Sequence, residues 1–544
     1  MVWRALPFLL VLLIAASTYA ESGLKEASHG GGGGADFRTT PKNILFSSVG
    51  GGASHNSWII RILDQLHKRG HNVFFASTDT ELKFTNVYPH IKTSSIGPSH
   101  YKKMPPITHK LRWPVSFDAP KVYKENNMRE YDTNYNALQE IIKNESIDVV
   151  LCDHVSFGCQ QVVKDSKLPL IITLVINDAD DADAPYINLN PIARMSDGTT
   201  ENMSYARRFY DAFIWRAQLL WHLDFAPWPV SLGINNNRWE DALKLVNNVY
   251  GLEPPRPMGP LVELVGPIYS DDITSSPGKL DPGLEQFLDE REKVVYVAFG
   301  QFVKPTTIEV STRVLLMLLE NYEAGGLDGF IWSATLGTPL PDHVTTSSGT
   351  QYHLNTTEFL NVGRIVPWAP QKAILRHPST VTFVTHGGAS SVYEAAYYGK
   401  RMLFAAFFGD MISNSLHFER TAGGVWFVLP EADAKTMITS LAKVLKDEKG
   451  IMQQAMQRLQ AIVQIHVQHS LVRATDLVEE VAFTADKDGK LPHRRDIARN
   501  LSFLKRHNYD LYLGLFVLVA ACIMLPYRLV VFLKEHLRIK KKIE

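Results

Sequence analysis

The sequence predicts an α/β protein in which two doubly wound halves face a cleft, followed by a helix that crosses a membrane. Three observations favour this fold class. A strand pattern, a glycine turn and a helix pattern begin at Asn43, and a similar alternation begins again at Val294. After both, the stretch from Leu511 to Leu533 is almost continuously apolar. Alternating strands and helices predict parallel sheets, and roughly 20 apolar residues are enough to cross a bilayer.

Length and composition are those of a globular protein with two or three domains. The chain has 544 residues, of which 45% are hydrophobic and 21% are charged. Its 56 basic residues balance 56 acidic ones, so the net charge is zero. A dedicated nucleic-acid-binding protein normally carries a basic excess, so the composition argues against that class of partner.

The first 20 residues have the pattern of a secretory signal peptide. Arg4 is the one charge before an apolar run from Ala5 to Ala16, and the small residues around Thr18 predict cleavage after Ala20. The run is too short for a stable membrane span. The glycines at 30–34 then predict a flexible tether.

The first half begins with a strand, a helix and a second strand. Apolar runs at Asn43–Ser47 and Val73–Ala76 flank a helix pattern that stops at Gly70. A crossover of this kind is right-handed and makes the two strands parallel. The strand pattern recurs at Asp148–Cys152 and Leu170–Val175, with a helix pattern between them.

His55 lies in the glycine turn after the first strand, where two roles remain open. Gly50 and Gly52 match the first two glycines of a dinucleotide fingerprint, but His55 stands in the place of the third. That substitution weakens the alternative of a nucleotide-dependent oxidoreductase, because the third glycine is needed for close helix–strand packing. At this edge of the sheet His55 can be a general base or can merely cap the helix, and the local sequence does not decide between these roles.

Asp153 follows a strand end and is therefore predicted at the same edge of the sheet as His55. A carboxylate on the far nitrogen of an imidazole fixes its tautomer and stabilises the imidazolium, as in a His–Asp pair. The alternative is that Asp153 caps the following helix. We expect His154 to point the other way.

The second half begins after a boundary rich in proline and glycine. Pro254–Pro257 and Gly266-Pro267 mark this boundary. Two doubly wound halves place a ligand cleft at the carboxyl ends of their strands. The strand patterns of the second half, separated by helix patterns, are Val294–Phe299, Phe330–Trp332, Arg364–Val366, Val381–Val384 and Met402–Ala406.

The second half also carries groups suited to a nucleotide. Trp368 stands between prolines in a loop that ends at Gln371, where its indole can stack on a base; a core position is the alternative. Glu394 can accept the hydroxyls of a ribose, unless it lies on a solvated helix face. Together these residues predict a pocket for the nucleoside.

A strand, a glycine turn and a helix in succession predict a phosphate site beside that pocket. His386, Gly387 and Gly388 form the turn, and the backbone N–H groups of the helix that follows can bind a diphosphate. Asp410 follows the next strand and can bind the hydroxyls of a sugar.

The cysteines are too few for a disulfide framework. The chain has three, and Cys522 lies in the apolar C-terminal run. We expect Cys152 and Cys159 to be a buried reduced pair. Sequons that permit glycosylation in a secretory compartment begin at Asn144, Asn202, Asn355 and Asn500.

The apolar run at 511–533 is predicted to span the membrane, with Arg528 close enough to one end to reach the headgroups. The basic residues that follow place the tail in the cytosol and the bulk of the chain in the lumen. Lys541 and Lys542 have the spacing of a dilysine retrieval signal, which predicts the endoplasmic reticulum membrane; a plain basic flank is the alternative.

These features together resemble the UDP-glycosyltransferases, the family that contains the UDP-glucuronosyltransferases. The resemblance covers nearly the whole chain. It rests on the signal peptide, His55 within Gly-Gly-Ala-Ser-His-Asn-Ser-Trp, Arg69-Gly70-His71, Asp153, Pro255-Arg256-Pro257, Trp368 with Gln371, the block from His386 to Glu394, the C-terminal span and the basic tail.

The resemblance implies a GT-B fold and inverting transfer from a UDP-sugar, which is a co-substrate rather than a cofactor. His55 and Asp153 would be the catalytic pair, and no metal is implied. The residues implied to bind the UDP-sugar are Gly300, Gln301, Trp368, Gln371, His386, Gly387, Gly388, Ser390, Ser391, Glu394 and Asp410.

Three departures from the family pattern bear on the sugar. Met411 stands where glutamine is usual, and Gln301 stands where serine is usual. The stretch Leu245–Tyr250 lacks the basic residue by which glucuronic-acid users meet the sugar carboxylate. We therefore expect UDP-glucose rather than UDP-glucuronic acid as donor. A UDP-glucuronosyltransferase and a non-catalytic lumenal scaffold of the same fold are the alternatives.

The acceptor is expected to be a small lipophilic molecule, bound by the aromatic-rich stretches 80–131 and 177–228. The stretch 80–131 is also interpreted as insertions that line the cleft. A homo-oligomer is compatible with this organisation. The predicted segments are a signal peptide (1–20), a glycine-rich segment (21–40), an acceptor-binding domain (41–265), a linker (266–290), a UDP-sugar-binding domain (291–485), a juxtamembrane segment (486–509), a transmembrane helix (510–533) and a cytosolic tail (534–544).

Overall fold

Two units of very different size make up the computed structural model, 1–41 and 42–544. Of the smaller unit the described part is 37–41, where the guanidinium of Arg38 lies 5.4 Å from the centre of the Phe37 ring. The predicted signal peptide and glycine tether lie outside the described residues. The structure describes 37–99, 118–177, 179, 203–214, 239, 241–255, 257–270, 273, 278–301, 303–407 and 410–543.

A parallel sheet of seven strands forms the first half of the larger unit, in the order β3-β2-β1-β4-β5-β6-β7. The chain adds strands on one side of β1 and then on the other, so the sheet has its switch point between β1 and β4. A crevice opens at the carboxyl ends of strands at such a point. The strands are β1 (Asn43–Ser48), β2 (Asn72–Ser77), β3 (Lys92–Ser95), β4 (Val149–Asp153), β5 (Leu170–Leu174), β6 (Leu243–Val246) and β7 (Val262–Leu264).

The helices described in the first half include the crossover that the sequence predicts between β1 and β2. They are α1 (Gly52–Lys68), α2 (Asp118–Asn144), α3 (Phe157–Asp165) and the short α4 (Tyr205–Phe209). The stretch 80–131 was expected to hold only insertions, and this expectation is wrong. It contains the edge strand β3 and the start of α2, and β3 was missed because its four residues, Lys-Thr-Ser-Ser, include no apolar side chain.

A second parallel sheet, of six strands in the order β12-β9-β8-β13-β14-β15, forms the second half. Its switch point lies between β8 and β13. A separate antiparallel hairpin pairs β10 with β11. The strands are β8 (Val294–Ala298), β9 (Gly329–Ser333), β10 (His343–Thr345), β11 (Gln351–His353), β12 (Gly363–Val366), β13 (Thr380–Thr385), β14 (Arg401–Ala406) and β15 (Val425–Val428).

Helices cover the second sheet, and several begin at caps that can be read in the sequence. The Asp281 carboxylate accepts hydrogen bonds from the N–H groups of Gly283 and Leu284, and Pro282 follows it. The helices are α5 (Pro282–Asp289), α6 (Ile308–Glu323), α7 (Thr357–Val362), α8 (Gln371–Arg376), α9 (Ala389–Tyr397), α10 (Asp410–Ala422), α11 (Ala434–Lys446) and α12 (Ile451–Thr484).

The 34-residue helix α12 ties the two halves together. Apolar side chains within 455–463 are buried in the core of the second sheet, and those within 474–481 are buried in the core of the first. An ion pair of 2.7 Å between Arg69 and Asp476 reinforces the second contact. Each half therefore has its own core, and one helix is part of both.

The chain continues through a short helix, α13 (Phe503–Arg506), into a long apolar one, α14 (Tyr509–Ile543). Within the segment Tyr509–Ile539 the most apolar stretch of 18 residues has a mean hydropathy of 2.4, and none of that stretch is buried in the protein. Within the described part of the chain it is the one helix long and apolar enough to cross a membrane. A span at this place agrees with the predicted fold.

Candidate active site

His55 lies in the first turn of α1, at the crevice between β1 and β4. The chain leaves β1 at Ser48 and enters α1 through Gly51, whose φ of 88° is in the left-handed region. A Cβ atom on Gly51 would lie 2.3 Å from Cγ of His55. Glycine is needed here because the turn passes directly against the imidazole in a conformation that other residues rarely adopt.

The structure brings His55 and Asp153 together. Nδ1 of His55 lies 2.9 Å from Oδ2 of Asp153, the last residue of β4. The other carboxylate oxygen accepts a hydrogen bond of 3.1 Å from the N–H of Val155. The N-cap of α1 is Gly51 and that of α3 is Ser156, so neither His55 nor Asp153 has the capping role that the sequence left open.

The Asp153 carboxylate is buried and yet charged. Burial by itself would raise its pKa, but the imidazoles of His55 and His154 outweigh that effect and hold the pKa of Asp153 well below its usual range. Asp153 therefore stays an acceptor, and the ring nitrogen of His55 that faces it is the donor. In the neutral form of this tautomer the opposite nitrogen of His55 carries the lone pair, so it can act as a base.

The expectation that His154 points away from the pair is wrong. Its ring stacks on that of His55 with centroids 5.2 Å apart and planes at 18°, and its Nδ1 lies 3.6 Å from Oδ1 of Asp153. The chain turns sharply after β4, where the N–H of Ser156 donates to the carbonyl of Asp153 over 2.8 Å, and this turn replaces the strand geometry that would have sent His154 to the other face.

Donor atoms of His55, Asp153 and His154 lie within 4.8 Å of one another, a spacing that a metal ion could use. A metal bound by two histidines lies in the plane of each ring, on the lone pair of the coordinating nitrogen. Two nearly parallel, stacked rings do not direct their lone pairs to one point. The cluster therefore fits a hydrogen-bonded His–Asp pair with a second imidazole beside it better than a metal centre.

Glu81 and Asn56 support the His55 turn, and sequence reasoning missed both. Helix α1 has no side-chain cap and no acidic residue in its first turn. Oε2 of Glu81 instead accepts from the N–H of Gly52 over 3.1 Å and from Nδ2 of Asn56 over 2.9 Å. Glu81 follows β2, so this cap comes from another element and has no local sequence signal.

A disulfide joins Cys152 to Cys159, so the prediction of a reduced pair is wrong. The turn after β4 brings the two Cα atoms to 5.9 Å, a separation that suits a disulfide. Both residues are buried. Their spacing in sequence gave no indication of this approach, because it depends on how tightly the chain turns between strand and helix.

His386 follows β13, on the opposite side of the cleft, and its ring is packed between two glycines. A Cβ on Gly300 would lie 2.9 Å from the imidazole, and a Cβ on Gly388 would lie 2.4 Å from its Nε2. Burial lowers the pKa of His386 to about 4, so the ring is neutral near neutral pH. Its Nδ1 has no hydrogen-bond partner among the described residues.

Helix α9 starts beside His386 with Gly388 as N-cap and no side-chain cap. The N–H of Gly387 is already used, since it donates to Oγ1 of Thr385 over 3.2 Å. The first N–H groups of the helix have no partner within it, as at any helix start. An anion at this place would thus meet amides from Gly388 onward, with Ser390 exposed beside them.

Gln371 and Glu394 bond to each other. Nε2 of Gln371 donates to Oε2 of Glu394 over 2.7 Å and lies 3.3 Å from Oγ of Ser391. Burial raises the pKa of Glu394, and the bond from Gln371 and the charge of Lys372 only partly offset this. Glu394 is thus not on a solvated face. Trp368, by contrast, is 74% exposed and is not a core residue.

Asp410 begins α10 and is electrostatically linked to the first half. Burial raises its pKa, while the imidazoles of His55 and His154 act in the opposite direction, which requires the three to be near one another across the cleft. The next residue, Met411, is 9% exposed and packs in the core of the second sheet. Gln301 is exposed beyond β8, while Phe408 and Gly409 lie outside the described residues.

Comparisons with known proteins identify the family and the fold of this chain. Residues 236–543 match the model of the family described as "UDP-glucoronosyl and UDP-glucosyl transferase". The chain is 26% identical to the UDP-glycosyltransferase stmC of Aspergillus ustus over 499 residues, which cover 85% of this chain and 92% of that protein. It is 23% identical to the UDP-glucuronosyltransferase 3A2 of Mus musculus over 526 residues, 90% of this chain and 94% of that one.

A solved structure of a UDP-glucosyltransferase from Polygonum tinctorium, described as capable of glucosylating indoxyl, superposes with a TM-score of 0.56. That match covers 82% of this chain and 99% of the other, at 17% identity. Likeness at this identity establishes the fold, which is GT-B, with two parallel α/β halves.

Proposed function

Because the chain belongs to the family of UDP-glucuronosyl and UDP-glucosyl transferases and is a UDP-dependent glycosyltransferase, we propose that it moves a neutral hexose to a hydroxyl of a small lipophilic acceptor, with inversion. The observation that carries the mechanism is the contact of 2.9 Å between His55 and Asp153. Family membership also removes the oxidoreductase alternative.

In the proposed mechanism His55 is the general base. The Asp153 carboxylate accepts a hydrogen bond from the Nδ1–H of His55, so Nε2 is left to take the proton of the acceptor hydroxyl. The hydroxyl oxygen attacks the anomeric carbon of the sugar as the bond from that carbon to the β-phosphate oxygen breaks. UDP leaves with the bonding electrons, and attack from the opposite face inverts the configuration. Asp153 stabilises the imidazolium that forms.

The second half would hold the donor. Trp368 is exposed at the cleft, where its ring can stack on uracil, and Glu394 can accept the ribose hydroxyls once its bond to Gln371 is rearranged. His386 and the amides at the start of α9 would receive the diphosphate. Since His386 is neutral near pH 7, it would donate a hydrogen bond rather than supply a positive charge.

Charge near the proposed sugar position supports a neutral hexose. Asn247 and Asn248, in the stretch where a basic residue would meet a glucuronate, are buried and bonded to protein groups. The partner of Asn248 is Glu253, a buried carboxylate. Burial raises the pKa of Tyr393, and the charges of Glu253 and Asp410 act in the same direction. A sugar carboxylate beside Asp410 would meet like charge, whereas glucose would not.

The experiment that tests the donor is a competition. The purified enzyme receives UDP-glucose and UDP-glucuronic acid at equal concentration with a mixture of lipophilic alcohols and phenols, and the products are separated by mass. A carboxylate without an ionic partner costs about 1–3 kcal/mol when it is partly hydrogen-bonded, so we expect glucoside in at least about fivefold excess. A product that is mainly glucuronide would establish the alternative donor, with Arg207 or Arg208 as the first candidates for the missing cation.

We further propose a type I position in the endoplasmic reticulum membrane, anchored by α14. The apolar surface of that helix, the similarity to membrane-bound relatives and the Cys152–Cys159 disulfide support it, since disulfides persist in oxidising compartments. Protease added to intact microsomes should then remove a C-terminal tag and spare the folded halves. Serine in place of Lys541 and Lys542 should let the protein reach the Golgi.

A further inference from the structure

We propose that the Cys152–Cys159 disulfide is a positioning element of the catalytic pair: it holds the turn that presents the Asp153 carboxylate to His55. The proposal rests on the function proposed above for His55 and Asp153. It predicts that the enzyme turns over well only when this bond is oxidised.

The first observation is where the bond closes. Cys152 and Cys159 are seven positions apart, and the ring they close contains Asp153 and His154. Cys152 is fixed inside the sheet, with Ser47 of β1 and Ile172 of β5 as its neighbours in register. Cys159 lies in the first turn of α3. The bond therefore ties the start of α3 to the strand residue that precedes the carboxylate.

The second observation is that two further hydrogen bonds to this turn come from α3 and depend on where that helix lies. Nε2 of Gln160, in the same helix, donates to the carbonyl of His154 over 2.9 Å and to that of Asp153 over 3.3 Å. Nε1 of Trp239 donates to Oε1 of Gln160 over 2.9 Å. A shift of α3 would move Gln160 and loosen both carbonyls at once.

The third observation is that α3 has no side-chain cap to fix its first turn. Its N-cap, Ser156, makes no side-chain capping bond. Gly158 packs so closely on α2 that a Cβ would lie 3.2 Å from the backbone nitrogen of Tyr135. This close contact limits where α3 can lie but does not attach it to β4. Among the described residues, the Cys152–Cys159 disulfide is the covalent link between α3 and β4 besides the chain itself.

The consequence for catalysis is geometric. A displacement of about 1 Å in a catalytic group can cost on the order of 10²-fold in rate. Formation of the bond removes two protons and two electrons from the thiols, which a disulfide-bearing oxidant of the secretory pathway accepts as it becomes two thiols. Both sulfur-bearing residues are buried, so the bond is protected once it has formed.

The test is a double-mutant cycle on the full chain in detergent. C152A/C159A should lower kcat by about 10- to 100-fold, while the KM for the UDP-sugar and the affinity for UDP stay within about twofold. D153N should lower kcat in the bridged enzyme but add less than about threefold in the C152A/C159A background, because the carboxylate is already misplaced there. C522A is the matched control and should leave kcat unchanged.

Each other outcome has a defined meaning. Losses that multiply in the cycle, or a C152A/C159A variant with full kcat, would overturn the proposal. If D153N itself keeps full turnover, the proposed His–Asp pair is wrong instead. If C152A/C159A does not bind UDP, dithiothreitol is applied to the natural enzyme and free thiols are counted by alkylation and mass. Turnover should fall as two thiols appear, with UDP binding retained, and return on reoxidation; full turnover with both thiols alkylated would overturn the proposal.

Discussion

The two sides of the cleft sit at equivalent places in their sheets but are in opposite states. Each site lies at the switch point of a parallel sheet, between β1 and β4 on one side and β8 and β13 on the other. On the first side His55 and Asp153 are already bonded to each other. On the second side Nδ1 of His386 lacks a partner in the described structure, and Trp368 is 74% exposed.

This difference separates chemistry from binding. The groups that would move a proton are positioned in advance, because a base must be in place when the oxygen attacks. The groups that would hold the nucleotide either bond to each other, as Gln371 and Glu394 do, or lack a hydrogen-bond partner among the described residues, as Nδ1 of His386 does. Mutations on the first side should therefore change kcat, and mutations on the second side should change donor affinity.

The largest expected effect is that of H55A. Removing the general base should lower kcat by at least about 10²-fold, while the affinity for UDP changes by less than twofold. Steady-state kinetics and calorimetric titration with UDP measure the two quantities. H343A, at an exposed position on the β10–β11 hairpin, is the control. Near-normal turnover in H55A would mean that the histidine is structural and that the first half does not supply the base.

The next effect is that of E394Q, which should weaken UDP binding by about 10- to 100-fold, since a hydrogen bond to a charged group contributes about 1.5–3 kcal/mol. At saturating donor, kcat should be nearly unchanged. The matched control is E431Q, which makes the same change from carboxylate to amide at an exposed position with no assigned role in binding. A fall in kcat as large as the fall in affinity would show that Glu394 also acts in the transition state.

The pH dependence of UDP binding is a second test of the role of Glu394 in binding. Because burial raises the pKa of Glu394, protonation begins closer to neutrality than for an ordinary glutamate. Protonation removes an acceptor, so the affinity for UDP should fall with decreasing pH. The free energy of unfolding should change in the opposite direction. Because the pKa of Glu394 is higher in the folded than in the unfolded protein, its protonation stabilises the fold as the pH drops through the folded pKa. In E394Q the Glu394 component of both trends should disappear.

A smaller effect is expected at Glu81. E81A removes the acceptor at the start of α1 and should lower kcat by about tenfold, with a loss of about 1 kcal/mol in the free energy of unfolding. E81Q keeps an oxygen that can accept from Gly52 and Asn56, so it should retain most of the activity. Kinetics and thermal unfolding of both variants provide the measurement. Equal losses in the two variants would mean that the charge, rather than the position, is what matters.

The smallest effect on activity is expected at Met411. Its side chain packs in the core rather than toward a sugar, so M411Q should not improve kcat/KM for UDP-glucose. Burying the amide should instead cost about 1–3 kcal/mol of stability. M411L keeps the apolar volume and is the control. A clear gain in kcat/KM with M411Q would show that this position faces the donor after all.

The sequence predicts the strands of both sheets well where both of their faces are buried. Apolar runs such as those of β1, β4 and β13 are typical of central parallel strands, and they lie where the pattern placed them. The edge strand β3 carries Lys-Thr-Ser-Ser and was missed, since a polar strand at an edge has no such run. Two other strands depart from this rule: the edge strand β12 was predicted, at Arg364–Val366, whereas β6, an interior strand of the first sheet, was not.

The site was predictable where a residue directly follows a strand, as Asp153 and His386 do. It was not predictable where placement depends on the tightness of a turn. The position of His154 and the Cys152–Cys159 bond both follow from the tight turn after β4. No residue type in this segment predicts how tight that turn is. Glu81 was missed for another reason: it caps a helix from a separate element, so no local pattern connects the two.

Helix α12 should limit how the two halves can move apart, and therefore how the nucleotide product leaves the cleft. At about 1.5 Å per residue its 34 residues extend over roughly 50 Å, and its two ends belong to different cores. The halves cannot draw apart in a straight line without pulling one end out of its core. We therefore expect the two halves to rock about this helix, which would open the rim of the cleft farthest from it most. The nucleotide would then escape first at the rim farthest from α12.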